Sequence, residues 1–188
     1  MRLRMQPSPK RPQASGLTLI ELLIALSIGA VGMTAVISLF VVAMANNSRS
    51  QRDTTATLLS QSVLEQILLA GTNNVATIGL TDCLGNNFTI NSAGGAAPGA
   101  GAAVTASGNV DFSVAAPGNN YSMTYNVCRA NGQTSQYDVR WNVLDMSTSG
   151  ATVYTRLVRV SAKPVGTTAA NSYILPVTLR GTAAVAEN

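Results

Sequence analysis

Apolar residues dominate one end of the chain and alternate with polar ones towards the other. Gly16 to Ala45 reads GLTLIELLIALSIGAVGMTAVISLFVVAMA, and its last 24 residues, Leu22 to Ala45, carry no charge. A helix crossing a bilayer core needs roughly 20 such residues. The pattern then turns polar on every side over Asn46-Asn47-Ser48-Arg49-Ser50-Gln51-Arg52-Asp53. Beyond it Ala56, Leu59, Val63, Ile67 and Ala70 recur at three- and four-residue spacing, the stripe of an amphipathic helix with one face to bury. No proline lies between Gln13 and Ala97, so a helix is predicted from Leu17 to about Ala70, and Gly71 followed by Thr72-Asn73-Asn74 reads as its stop. Gly29 and Gly32 are either soft points, since glycine weakens a helix interior by about 1 kcal/mol, or small residues for close helix approach with Ala25 and Ala30.

From Tyr121 onward the period changes to two. Tyr121, Met123, Tyr125 and Val127 share one face of a strand, with Ser122, Thr124, Asn126 and Cys128 on the other. Asn131-Gly132 is a hairpin signal, after which Tyr137, Val139, Trp141 and Val143 repeat the alternation. Ser147-Thr148-Ser149-Gly150 reads as a second turn, a third strand is predicted through Thr152 to Val160, and a fourth from Tyr173 to Leu179. Pro176 interrupts the fourth and makes it an edge strand. Short connections favour an antiparallel meander, with the stripe of Ala56 to Ala70 as the cover for its apolar face. Between Val75 and Gly118 the pattern predicts only a short strand at Phe88-Thr89-Ile90. Ser92 to Gly101 (SAGGAAPGAG) has too few large apolar groups to build a core and reads as a surface loop.

One acid breaks the apolar end. Glu21 stands at the lip of the uncharged run, and an acid placed at the centre of a membrane helix costs roughly 2.5–3.5 kcal/mol. Nothing within the run supplies a partner, so one is expected on another molecule. The string Gly16-Leu17-Thr18-Leu19-Ile20-Glu21-Leu22-Leu23-Ile24-Ala25-Leu26, after a basic arm, resembles the signal sequence of type IV prepilins and type II secretion pseudopilins. The resemblance implies cleavage between Gly16 and Leu17 by a prepilin peptidase and N-methylation of Leu17. It also implies that Glu21 directs assembly by meeting the N-terminal amine of a neighbouring subunit. Leu17 departs from the phenylalanine usual after the cut. An ordinary secretory signal has a shorter apolar region, with its cleavage site after it, and a plain anchor gives Glu21 no reason.

Charge sharpens the picture. Of 12 basic residues, Arg2, Arg4, Lys10 and Arg11 lie in Met1 to Ser15, so the rest of the chain carries 12 − 4 = 8 bases against 8 acids. The basic balance therefore belongs to the arm and does not argue for nucleic-acid affinity. Bases before an apolar run hold that end in the cytoplasm and leave the following domain outside. In that oxidising compartment the two cysteines, Cys83 and Cys128, favour a disulfide over two buried thiols. By loop-closure entropy it would contribute about 3–4 kcal/mol.

Candidate chemistry is sparse. The chain has no histidine, which removes the commonest general base and metal ligand. Asp138 and Asp145 form a weak calcium pair, better read as solvated charges. Gly99-Ala100-Gly101 lacks the spacing and helix of a phosphate loop. Arg140, Arg156 and Arg159 beside Tyr137, Trp141 and Tyr154 are a minor candidate for DNA capture, against a solvated face with core aromatics as the better reading.

An α+β, pilin-like fold follows: a long N-terminal helix, membrane-spanning in its first half, packed on a C-terminal antiparallel β-sheet. The divisions are a leader at 1–16, an apolar helix at 17–45, an amphipathic continuation at 46–71 and a β-rich periplasmic domain at 72–188. The favoured function is a minor pilin, a structural subunit and not an enzyme. The segment Thr57 to Ile67 resembles minor pilins of the PilV type and the I-type pseudopilins. A type II secretion pseudopilin is the alternative and a DNA-binding pilin the second. The resemblance implies major and minor pilin subunits, the prepilin peptidase, an inner-membrane assembly platform and inner-membrane lipid as partners. The expected locations are the bacterial inner membrane, then a pilus or pseudopilus. No nucleic acid, cofactor, metal or catalytic residue is expected.

Overall fold

The computed structural model describes residues 16, 18–72, 76–130, 132–146, 155–166 and 176–184. Outside them lie Leu17, the basic arm, Asn73, Asn74, Asn131, Ser147 to Gly150, Tyr154 and Tyr173, with the expectations placed on them. The chain divides into two compact units between Asn46 and Asn47. Helix α1, Leu19–Thr72, contributes to both.

In the first unit α1 is long and apolar enough to cross a membrane. Leu22, Leu26, Val36, Phe40 and Met44 are among the side chains it leaves exposed. Hydroxyls on this surface fold back onto helix carbonyls: Ser27 Oγ donates to Leu23 O at 2.6 Å, Thr34 Oγ1 to Val31 O at 2.8 Å and Ser38 Oγ to Thr34 O at 2.9 Å. Such back-bonding removes the penalty a free hydroxyl would meet in hydrocarbon. Around Gly29 and Gly32 there is open space on the side a Cβ would take.

The second unit pairs the remainder of α1 with two sheets. Ala56, Val63, Ile67 and Ala70 of the predicted stripe are buried, joined by Ser60 and Leu64, while Leu59 packs at the margin. Their cover is an antiparallel meander of β4 (Ser122–Cys128), β5 (Thr134–Met146), β6 (Thr155–Pro164) and β7 (Thr178–Ala184). Tyr137, Val139, Trp141 and Val143 of β5 and Val158, Val160 and Ala162 of β6 join Ala56, Val63, Leu64 and Ile67 in one core. A fully buried side chain of this size contributes about 1.5–3 kcal/mol. Gly181 in β7 lies close under α1: a Cβ there would stand 2.8 Å from Leu68 Cδ1, so that side chain would have to shift.

The 13-residue strand β5 organises the sheet. One edge pairs with β6 from Tyr137↔Pro164 to Met146↔Thr155. The other edge is shared, by β4 over Thr134 to Arg140 and by β3 (Ala100–Gly101) at Asn142 and Val143. A separate hairpin, β1 (Thr77–Thr81) with β2 (Asn87–Asn91), lies against β4, where Tyr125 Oη donates to Thr81 O at 3.1 Å.

Four expectations change. The predicted Phe88 to Ile90 strand is present within β2, but its partner β1 carries too few apolar residues to show a period. The segment Ser92 to Gly101 is a surface loop only in part: Ala96, Ala97 and Pro98 are exposed at a turn, while the residues around them join the sheet. Ser92 is buried, Gly95 bridges Leu144, and Ala100 and Gly101 complete the open edge of β5. Its small residues let backbone lie directly on backbone: a Cβ at Gly101, whose φ is +99°, would collide with Trp141 O and the Tyr121 ring. Among the described residues the last strand is Thr178–Ala184, past the predicted end at Leu179, while Tyr173, Ile174 and Leu175 lie outside them. It is the edge strand expected. The third strand runs on to Pro164, past the predicted end at Val160.

Candidate functional site

The head of α1 is a reciprocal cap. Thr18 O accepts the first helical bond, from Leu22 N at 3.2 Å, which makes Thr18 the N-cap. Its Oγ1 accepts from Glu21 N at 3.3 Å, while Glu21 Oε2 receives Thr18 N at 2.9 Å and Thr18 Oγ1 at 2.8 Å. This is a capping box, Thr-x-x-Glu, with the carboxylate at the positive end of the helix. The expectation that Glu21 has no partner in its own chain is thereby corrected: Thr18 supplies two donors. The Thr-x-x-Glu spacing is itself present in the sequence. Both bonds fall on Oε2. Among the described residues Oε1 accepts none, so one face of the carboxylate remains open to a cation. Gly16 is exposed, with open space around its α-carbon.

Elsewhere the candidate groups separate. Asp138 pairs with Arg140 at 2.7 Å and Asp145 with Arg156 at 2.8 Å. Seven positions apart on an unbroken strand, the two acids point to opposite faces and share no site. The arginines gather only in part. Register puts Arg140 and Arg159 on the face away from α1 and Arg156 on the helix face, where its side chain passes Gly71. Tyr137 and Trp141 are core residues. Gly99 to Gly101 lead into a strand and not a helix, which leaves no dipole for a phosphate loop.

Cys83 and Cys128 are joined, with 5.8 Å between their α-carbons, and pin the β1–β2 turn to the end of β4. Beside the bridge Asp82 is buried and heavily bonded. Burial pushes its carboxyl up, but bonds from Asn86, Asn126 and Leu84 prevail and bring it from 3.8 to about 2.

Among known proteins, no curated sequence and no solved structure matches the chain. Residues 11–37, which contain Gly16, Thr18 and Glu21, match the family model of the prokaryotic N-terminal methylation motif. The chain thus carries at its head the signature of type IV prepilins and pseudopilins.

Proposed function

We propose that this chain is a minor pilin of a type IV pilus, assembled through the head of α1. The motif marks a structural subunit of the pilin or pseudopilin class. The observation that carries the mechanism is the half-occupied carboxylate of Glu21 at the start of an exposed, uncharged helix. The precursor sits in the inner membrane by that helix, with the basic arm in the cytoplasm. The peptidase cuts between Gly16 and Leu17 and the new amine is methylated. Thr18 holds Glu21 through Oε2, and the amine of a neighbouring Leu17 pairs with Oε1 as helices leave lipid. Two charges in a low-dielectric bundle are tolerated only when paired, so the contact selects register more than it adds stability. The apolar flank from Leu22 to Ala45 then packs on other subunits.

The minor-pilin reading rests on the absence of proline from the apolar run, on the leader, and on the Gly/Ala segment built into the sheet edge. A type II secretion pseudopilin is the second reading, since both share the motif. A DNA-binding pilin ranks below both, since Tyr137 and Trp141 are core residues and leave no aromatic platform beside the arginines.

Mass spectrometry of the mature N-terminus tests the processing step: the expected chain begins at N-methylated Leu17. A chain keeping its arm in cells that possess the peptidase overturns the proposal. Sheared pili should contain the subunit at low stoichiometry, and Glu21→Ala should remove it from them while leaving membrane insertion intact. Recovery only with a secretion complex would select the pseudopilin.

A further inference from the structure

On the face of the meander away from α1, two arginines stand side by side. Arg159 of β6 and Arg180 of β7 are direct register partners. Like charges directly opposite across an antiparallel pair repel, and among the described residues neither arginine has an acidic partner. The acids of this region lie with Arg140 instead: Asp138 is bound to it at 2.7 Å, and Asp111 O accepts from its Nη1 at 3.5 Å.

Both guanidinium groups are instead held by neutral acceptors. Arg159 Nη1 donates to Asn142 Oδ1 at 2.9 Å, and Asn142 is itself fixed by donating to Ala102 O at 3.0 Å. Arg180 Nη2 donates to Ser107 O at 2.8 Å and to Asn109 Oδ1 at 3.2 Å. The segment carrying those acceptors leaves β5 at Ala102 and reaches β7 at Val110, whose N–H donates to Thr178 Oγ1 at 3.0 Å. It therefore passes across the β6 position where Arg159 sits. Gly108 in its turn approaches Arg180 so closely that a Cβ would stand 3.0 Å from Nη2. Arg159 Nε is buried with no partner.

A guanidinium presents five donors in a rigid fork suited to oxyanions. Two forks oriented by neutral groups, with no carboxylate to balance them, suit a ligand of charge near −2. A phosphate carries about −1.5 to −2 near neutral pH, a carboxylate or phosphodiester only −1. We propose that Arg159 and Arg180 form a binding site for a phosphate dianion, free or as a terminal monoester. The site is independent of the assembly reading, because it uses nothing in the apolar helix.

The test is isothermal titration of the full chain in non-ionic detergent micelles with inorganic phosphate and with glycerol phosphate, against chloride at matched ionic strength. Saturable binding of phosphate is expected. R180Q should weaken it at least about tenfold, as loss of a charge-assisted contact does, with an unchanged circular dichroism spectrum. R159Q should do the same. K163Q, which removes an exposed base on the same face, should leave binding intact. Equal affinity for glycerol phosphate identifies a monoester site, and preference for inorganic phosphate a free-ion site; either supports the proposal. Heat no greater than with chloride, or R180Q binding as the natural chain does, overturns it. Arg180-dependent binding of an oligothymidylate without terminal phosphate, in the absence of phosphate binding, also overturns it and points to a phosphodiester polymer.

Discussion

Asn126 Nδ2 donates to Asp82 Oδ2 across 2.7 Å, and this bond ties the β1–β2 turn to β4 beside the disulfide. Asp82 Oδ1 closes the turn by accepting from Leu84 N and Asn86 N, each at 2.9 Å, and Asn86 Nδ2 reaches Oδ2 at 2.9 Å. A non-covalent knot and a covalent bridge thus fasten the same two elements.

The knot is sensitive to acid. The folded pKa of Asp82, about 2, lies below its ordinary 3.8, so the native state binds fewer protons than the unfolded state. Its contribution is fully present above the unfolded value and is lost as pH falls towards the folded one. The urea midpoint should therefore drop between about pH 5 and about pH 2.5, and drop less in Asp82→Asn, which cannot titrate. Equal drops in the two proteins would refute the assignment.

The bridge closes a separation of 45 residues. Replacing both cysteines by serine should lower the unfolding free energy by about 3–4 kcal/mol, by loop-closure entropy. Denaturant titration in detergent measures it, with reduction of the natural chain as the matching control. A change under about 1 kcal/mol would mean that the Asp82 knot already restrains the unfolded chain.

Gly101 tests the close approach of β3 to β5. Gly101→Ala meets Trp141 O and the Tyr121 ring and holds a side chain at φ +99°. Overpacking and a left-handed backbone together should destabilise by about 2–4 kcal/mol. Gly118→Ala has open space and should fall within about 0.5 kcal/mol of the natural chain. Similar melting of the two variants would contradict the packing.

Thr18 tests the cap. Thr18→Ala removes an N-cap worth about 1 kcal/mol. Amide exchange over Leu19 to Leu22 in micelles should then quicken about fivefold, the factor that free energy implies. Thr18→Ser keeps the hydroxyl and should restore protection. Unchanged exchange in the alanine variant would show that Glu21 does not depend on Thr18.

Much of the architecture was legible because its signals are local. The uncharged run, the stripe from Ala56 to Ala70 and the alternation in β4 and β5 each repeat with the period of the backbone that carries them. The N-terminal methylation motif could be read from the residues around Gly16 and Glu21, since it is contiguous in the chain. The Thr18 cap is equally local, spanning four residues from Thr18 to Glu21.

What the sequence by itself determined, then, is the long helix, the strands β4, β5 and β6, and which face of the helix, β4 and β5 is apolar. Tertiary structure alone decided the rest. Ser92 to Gly101 has no hydrophobic period, and it became part of the sheet because β4 ends at Arg140's partner and leaves the backbone of Asn142 and Val143 to be paired. The arginine faces depended on register: Asp145 opposite Arg156 sends that arginine to the helix side and Arg159 to the other. Parity along one strand is written in its own residues, whereas parity between strands is set only when the core closes and fixes which backbone groups meet.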